Sequence, residues 1–297
     1  MKTIVAYRNL FSMGTRLEIV LPGVDEEQAD MFVSLIRKEL SRIESIINNY
    51  REDSIFSRIN ELAFEKLVKT DPETLELVSN LIEYHHKARE YFDFTLWKLS
   101  AGKIRDEDKE EFISLDLDRK IVLDREDRAI RFLNRNVGLD SGSFGKGMAL
   151  DSIKKIMNSN KIKNGFISFG GSSVLAQGNH PAGDHWPVGI RDFREENRNI
   201  HVFKMKDSIL STSGNNLNNR NRYPEGHIID PRTGNKIDGL RQVSVYGESG
   251  LISEILSTAL FIAPEEDIQS ILENFEGYRA VIFSFGPGSD HTIIKEF

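Results

Sequence analysis

Glu254 and Thr258 stand four residues apart in SEILSTALFI, residues 253–262. Four residues is about one helical turn, so their side chains share a face while Ile255, Ala259 and Ile262 take the neighbouring apolar face. A carboxylate beside a hydroxyl offers only hard oxygen donors, the kind that Mg²⁺ or Ca²⁺ takes in preference to a softer metal. A Glu and a Thr facing solvent would have the same spacing.

The stretch DSGSFGKGMALD, residues 140–151, places Gly142, Gly145 and Gly147 in a turn after a strand-like run at 129–133, and Leu150, Ile153 and Met157 then follow at helical spacing. Glycines let a backbone approach a ligand closely, and the N–H groups opening a helix attract anions. Lys146 adds a charge there, so the loop suits a phosphate-bearing ligand, although it matches neither common phosphate-loop pattern and also fits a plain structural turn. HIIDPRTG, residues 227–234, joins an acid/base candidate, a carboxylate, a rigid turn and a guanidinium. Asp230 and Pro231 make it a turn first, and His227 is either a proton carrier or a structural histidine. The hydroxyls of residues 211–213 lack a nucleophile-elbow pattern, which argues against a serine hydrolase. Residues 168–172, SFGGS, close a strand with two glycines, as a bulge or as a floor for a ligand.

These residues need elements to hold them. A 297-residue chain with 39% hydrophobic and 29% charged residues can bury a sizeable core. The net charge of −7, with no basic cluster, argues against nucleic acid and anionic membrane as partners. The absence of cysteine removes disulfides, thiolate metal sites and thiol nucleophiles. The first fifteen residues are too interrupted for a signal segment and no run of 18 apolar residues exists, so a cytoplasmic protein without a transmembrane segment is expected as the chain is written; a trimmed exported or periplasmic protein would read the same.

A strand is expected at 17–21. A capping box of Asp25 and Gln28 then opens a long amphipathic helix with Ala29, Phe32, Ile36, Leu40, Ile43 and Ile47 inside. Asp71-Pro72 starts a second helix with Leu75, Val78 and Ile82 buried. Residues 101–118, rich in acids, read as a solvated connection. A hairpin at 121–123 and 129–133 precedes the glycine loop, and beyond it strands at 166–169, 188–190, 200–205, 242–246, 280–285 and 292–295 alternate with helices at 253–262 and 265–275. Grouped strands with few helices between them predict an α+β fold with antiparallel-rich sheets and flanking helices, forming one domain over residues 1–297, possible as two intertwined halves.

Taken in order, eight pieces of the chain resemble the ApbE family of FAD:protein FMN transferases: MGT at 13, NNYREDSIFSRIN at 48, YFDFT at 91, the glycine loop, SFGGSSVLAQG at 168, STSGNN at 211, HIIDPRTG and SEILSTALF at 253. The resemblance implies a mixed α+β fold, FAD as substrate, Mg²⁺ as cofactor, and transfer of FMN through a phosphoester to a Thr or Ser of a respiratory or redox subunit, with AMP released. It implies that Met13, Tyr50, Tyr91, Phe92, Asp93, Ser143, Lys146, Met148, His227 and Ile228 line the flavin-nucleotide site. It further implies that the main-chain oxygen of Gly145 with the side chains of Glu254 and Thr258 holds the metal, and that His227 is catalytic. The chain departs from the family pattern at Glu254 and Ser172, both usually aspartate, at Phe94, usually proline, and at Asn215-Asn216, usually Asp-Tyr. An FAD pyrophosphatase releasing FMN and AMP, or a non-catalytic FAD-binding protein favoured by Glu254, are the alternatives.

Overall fold

The computed structural model describes residues 4–192, 198–215, 227–285 and 292–297. The chain opens with β1 (Val5–Ser12) and β2 (Thr15–Pro22), an antiparallel hairpin turned by Met13 and Gly14. Both turn residues have positive φ, 49° and 72°, as two-residue hairpin loops require. Then come α1 (Glu26–Ile47), α2 (Ile55–Leu62), β3 (Val68–Lys69), α3 (Pro72–Lys87), α4 (Trp97–Ser100), α5 (Asp106–Ile113), β4 (Ile121–Asp124), β5 (Ala129–Phe132) and α6 (Gly145–Ser159). The second half supplies β6 (Gly165–Phe169), β7 (Ser173–Gln177), β8 (Trp186–Arg191), β9 (Asn199–Met205), β10 (Ser208–Asn215), β11 (Arg241–Gly247), α7 (Gly250–Ile262), α8 (Glu265–Leu272), β12 (Arg279–Phe285) and β13 (Thr292–Glu296).

The organising element is an eight-stranded antiparallel sheet in the order β1-β2-β6-β7-β10-β11-β12-β13. The N-terminal hairpin therefore joins the C-terminal strands through β2 and β6, and the two halves interleave instead of each building a separate sheet. A three-stranded sheet, β3-β5-β4, stands apart, and β8 pairs with β9. Alternation along the strands decides what covers each face. Ile19, Ile167, Leu175, Ile209, Val243 and Ile282 point to the side covered by α1, α6 and α7. Val174, Ala176, Leu210, Val281 and Phe283 point to the other side, where Val188, Ile190, Phe203 and Met205 of the β8–β9 hairpin cover them.

The expected helix starts are in place. Asp25 accepts from the Gln28 N–H at 2.8 Å, and Asp71 accepts from the Thr74 N–H at 2.9 Å with Pro72 at the first helical position. All six residues expected on the inner face of α1 are buried. Ile82, expected to be buried in α3, is only half-buried, and the inner face carries Leu77, Leu81 and His85 in addition. Residues 101–118 are not a bare connection: they contain α5, whose Phe112 is fully buried in the core. Asn216, one of the departures from the family pattern, lies outside the described residues. Among the described residues no helix is long and apolar enough to cross a membrane.

Candidate functional site

Two helices meet at the centre of the site. Gly147 of α6 and Gly250 of α7 are in backbone contact: a Cβ on Gly147 would lie 2.1 Å from the Gly250 carbonyl oxygen, and one on Gly250 would lie 2.6 Å from that of Gly147. Asp151, one turn further along α6, caps α7. Its carboxylate accepts from the Ser249 hydroxyl at 2.7 Å and from the Gly250 and Leu251 N–H groups at 2.6 and 3.1 Å. The glycine loop thus serves helix packing as well as approach to a ligand. Its consequence is register: Lys146 of α6 comes level with Glu254 of α7, and its ammonium lies 2.8 Å from Glu254 Oε1.

Glu254 is buried at 3% exposure. Its Oε1 also accepts from the Ser173 hydroxyl at 2.5 Å, whereas Oε2 is buried and has no hydrogen-bond partner among the described residues. An orphaned carboxylate oxygen is costly to bury. Around it stand further hydroxyls. Ser213 Oγ lies 3.3 Å from Thr258 Oγ1 and 2.9 Å from Ser257 Oγ, which is 3.1 Å from Ser211 Oγ. This oxygen-only set with one unsatisfied anionic donor fits a hard divalent cation such as Mg²⁺.

Lys146, Glu254 and Thr258 border a cavity of about 1400 Å³, larger than the roughly 300–1,000 Å³ of ordinary small-molecule sites. Tyr91, Phe92, Asp93, Ser143, His227 and Ile228 also line it, so nine of the residues expected at the site share one cavity. Gly170 and Gly171 line it too, as the positive-φ turn between the paired strands β6 and β7.

His227 lies at the rim, exposed on one side. Protein packed around the other side disfavours the charged ring and Lys146 pushes the same way, so its pKa lies below the ordinary histidine value and the imidazole is neutral near pH 7. The turn that follows is held by Asp230, whose carbonyl accepts from the Gly234 N–H at 2.8 Å and whose Oδ1 accepts from the Arg232 N–H at 2.9 Å. The Arg232 guanidinium sits 3.9 Å from the centre of the Tyr91 ring, and Tyr91 in turn donates to Asp267 Oδ2 at 2.5 Å. On its other side Gly234 rests against Ile113 of α5: a Cβ there would meet Ile113 Cγ1 at 2.9 Å.

Some of the expected residues lie outside the cavity lining or already have partners. Met13 is a hairpin-turn residue whose N–H binds Glu44, Tyr50 is 86% exposed with its ring edge-on to Trp97, and none of Met13, Tyr50 and Met148 lines the cavity. Met148 follows Lys146 by two residues, which on a helix turns it to the opposite side. Gly145 is buried at the start of α6 and is likewise absent from the lining. Asp93 borders the cavity with its oxygens already engaged: Oδ1 accepts from Thr95 N–H and hydroxyl at 2.7 and 2.6 Å, and Oδ2 from Lys120 at 2.8 Å. Burial opposes its charge, but Lys120 and His85 hold its pKa below the ordinary carboxylate range. Tyr91 lines the cavity with one ring face covered by Arg232. Sequence reasoning missed Ser173, which binds Glu254, and Asp140, a half-buried cavity residue whose pKa desolvation raises. Ser173 stands two positions after the double glycine, with Ser172 between them.

The fold and the site together define an α+β protein with a large antiparallel sheet and one large cleft holding a buried carboxylate and a rim histidine. The comparisons give the particular family. A profile of the ApbE family matches residues 13–283, and the chain belongs to that family. Among curated relatives, the FAD:protein FMN transferase of Rhodobacter capsulatus is 35% identical over 162 residues, 54% of this chain and 30% of that longer protein. The FAD:protein FMN transferase of Klebsiella pneumoniae is 24% identical over 88% of this chain and 79% of its own length. In fold the chain is similar to the flavin transferase ApbE of Vibrio cholerae, with a TM-score of 0.82 at 20% identity over 99% of this chain and 97% of that one. It is similar also to the ApbE protein of Thermotoga maritima, with a TM-score of 0.79 at 23% identity over 94% of each chain.

Proposed function

We propose that this chain is a Mg²⁺-dependent FAD:protein FMN transferase, joining FMN by a phosphoester bond to a Thr or Ser hydroxyl of a redox or respiratory subunit and releasing AMP. The observation that carries the reading is the buried Glu254 carboxylate, with one oxygen unpartnered, beside Lys146 and Thr258 in a dinucleotide-sized cleft rimmed by a neutral histidine. The relatives that match the chain bear the name of this activity.

Glu254 and Thr258 would hold the metal, which when bound supplies charge neutralisation at the pyrophosphate. Lys146 is then free to leave Glu254 and pair with a phosphate oxygen, and the N–H groups opening α6 face the same anion. Ser143 and the Gly170–Gly171 turn let the dinucleotide lie close to the backbone. His227 accepts the proton of the acceptor hydroxyl as its oxygen bonds to the FMN phosphorus; the P–O bond to the AMP phosphate breaks, and AMP departs with the electron pair. Arg232 and Asp230 hold the turn that presents His227.

Incubation with FAD, Mg²⁺ and a fragment of a flavinylated redox subunit, followed by mass and nucleotide analysis, tests this. Flavinylated acceptor with equimolar AMP is the expected result. FMN and AMP with unmodified acceptor would mark a pyrophosphatase, and unchanged bound FAD a carrier.

A further inference from the structure

The end of α3 carries a group of ligands that the flavin chemistry leaves unused. His85, His86 and Glu90 each bring one donor atom within 4.8 Å of the others. The local fold explains how. Arg89 and Glu90 both adopt positive φ, 51° and 65°, and the helix ends with the Glu90 N–H on the His85 carbonyl at 3.0 Å and the Arg89 N–H on the His86 carbonyl at 2.9 Å. This reversal folds the residue after the cap back over the last turn, a place where an apolar pair usually meets. Here the pair is Glu90 and His85, with the His86 ring 5.2 Å from that of His85 at 77°.

His85 is also oriented as a ligand. Its Nδ1 donates to the Phe92 carbonyl at 2.5 Å, and a carbonyl can only accept, so the neutral ring keeps its lone pair on Nε2. Metal-binding histidines have the same second hydrogen bond to a backbone carbonyl.

We propose that His85, His86 and Glu90 form a binding site for a divalent transition-metal ion of the Zn²⁺ class, separate from the position at Glu254. Two imidazoles and one carboxylate select Zn²⁺, Co²⁺ or Ni²⁺ over Mg²⁺, which takes oxygen. Three protein ligands leave water to complete the coordination. The negative end of the α3 dipole favours a cation at this place. Because His85 binds the Phe92 carbonyl, an ion here fastens the helix end to the Tyr91–Phe92 wall of the cleft.

The test is calorimetric titration of the metal-stripped full chain with Zn²⁺ in millimolar Mg²⁺, repeated with Co²⁺ while recording visible absorption. One Zn²⁺ per chain, undisturbed by Mg²⁺, and a Co²⁺ spectrum of nitrogen ligation are expected. His86→Ala and Glu90→Gln, both at exposed positions and so compatible with folding, should weaken binding by at least about 10–100-fold, the loss common even for outer-shell partners. His180→Ala, remote from the cluster, should bind as the parent does. No Zn²⁺ uptake by the parent, equal uptake by His86→Ala and Glu90→Gln, or loss of uptake in His180→Ala would each overturn the proposal.

Discussion

The two walls of the cleft are built by different means. On the α6–α7 wall, Lys146 and Glu254 are fixed by backbone contact between Gly147 and Gly250 and by the threefold Asp151 cap, with Glu254 in the core. On the opposite wall His227 stands at the rim on a turn clamped by side chains, Arg232 over Tyr91 and Gly234 against Ile113. The difference suits the proposed mechanism. A site for a small cation and a pyrophosphate gains from rigidity and dryness, whereas a base that must meet a hydroxyl on another protein has to be reachable. The first wall should couple activity to stability; the second should not.

Substitutions can break that contrast. His227→Ala should reduce FMN transfer by roughly 10²–10⁴-fold, the range for losing a general base, with melting temperature and FAD affinity unchanged. A fall in melting temperature matching the lost activity would make His227 structural and erase the contrast. Gly147→Ala drives a methyl into the Gly250 carbonyl and should cost about 1–3 kcal/mol or more, read as a lower melting temperature by calorimetry together with weaker FAD binding. An undisturbed Gly147→Ala protein would show that the helices can part freely. Arg232→Ala removes a cation–π contact worth about 0.5–2 kcal/mol and should raise the acceptor KM by roughly 2–30-fold, with a melting-temperature loss no larger than that contact accounts for.

The pH profile sharpens the same point. In the proposed mechanism His227 is the neutral base, and its pKa is lowered by burial and then by Lys146. The active form therefore persists below the ordinary histidine pKa of about 6.5 and is lost only as pH falls through the lower folded value. Transfer rates should accordingly hold down to below pH 6.5; an acid limb centred above it would contradict the assigned environment.

How much was legible in the sequence follows the same division. α1 could be read from spacing because its apolar residues repeat at three and four, and its cap from Asp25 and Gln28. The pairing of Glu254 with Thr258 was readable, and so was the meeting of glycine loop with HIIDPRTG, once the order of motifs pointed to the family. Strand β10 was not: SILSTSGN has the composition of a loop, and it is a central strand because its small hydroxyl side chains let α7 approach and bond to them through Ser257. β7 was hidden because all five of its residues are buried, which removes the alternation that marks a half-exposed strand. The role of α5 escaped for a third reason: its charges face solvent, while Phe112 reaches the core and Ile113 the turn at Gly234. Tyr50, expected at the site from the family resemblance, is exposed and packs edge-on against Trp97, beside the lining residue Leu96.

The central claim is that Glu254 is the anionic ligand on which Mg²⁺-dependent transfer rests. Replacing it by Gln keeps the shape and removes the charge, so the most direct measurement is AMP release and acceptor mass for Glu254→Gln across a Mg²⁺ titration. The account predicts a folded protein whose FMN transfer falls by at least about 10²–10³-fold, the scale for losing one major electrostatic group. Transfer at the parent's rate with the parent's Mg²⁺ dependence would contradict it.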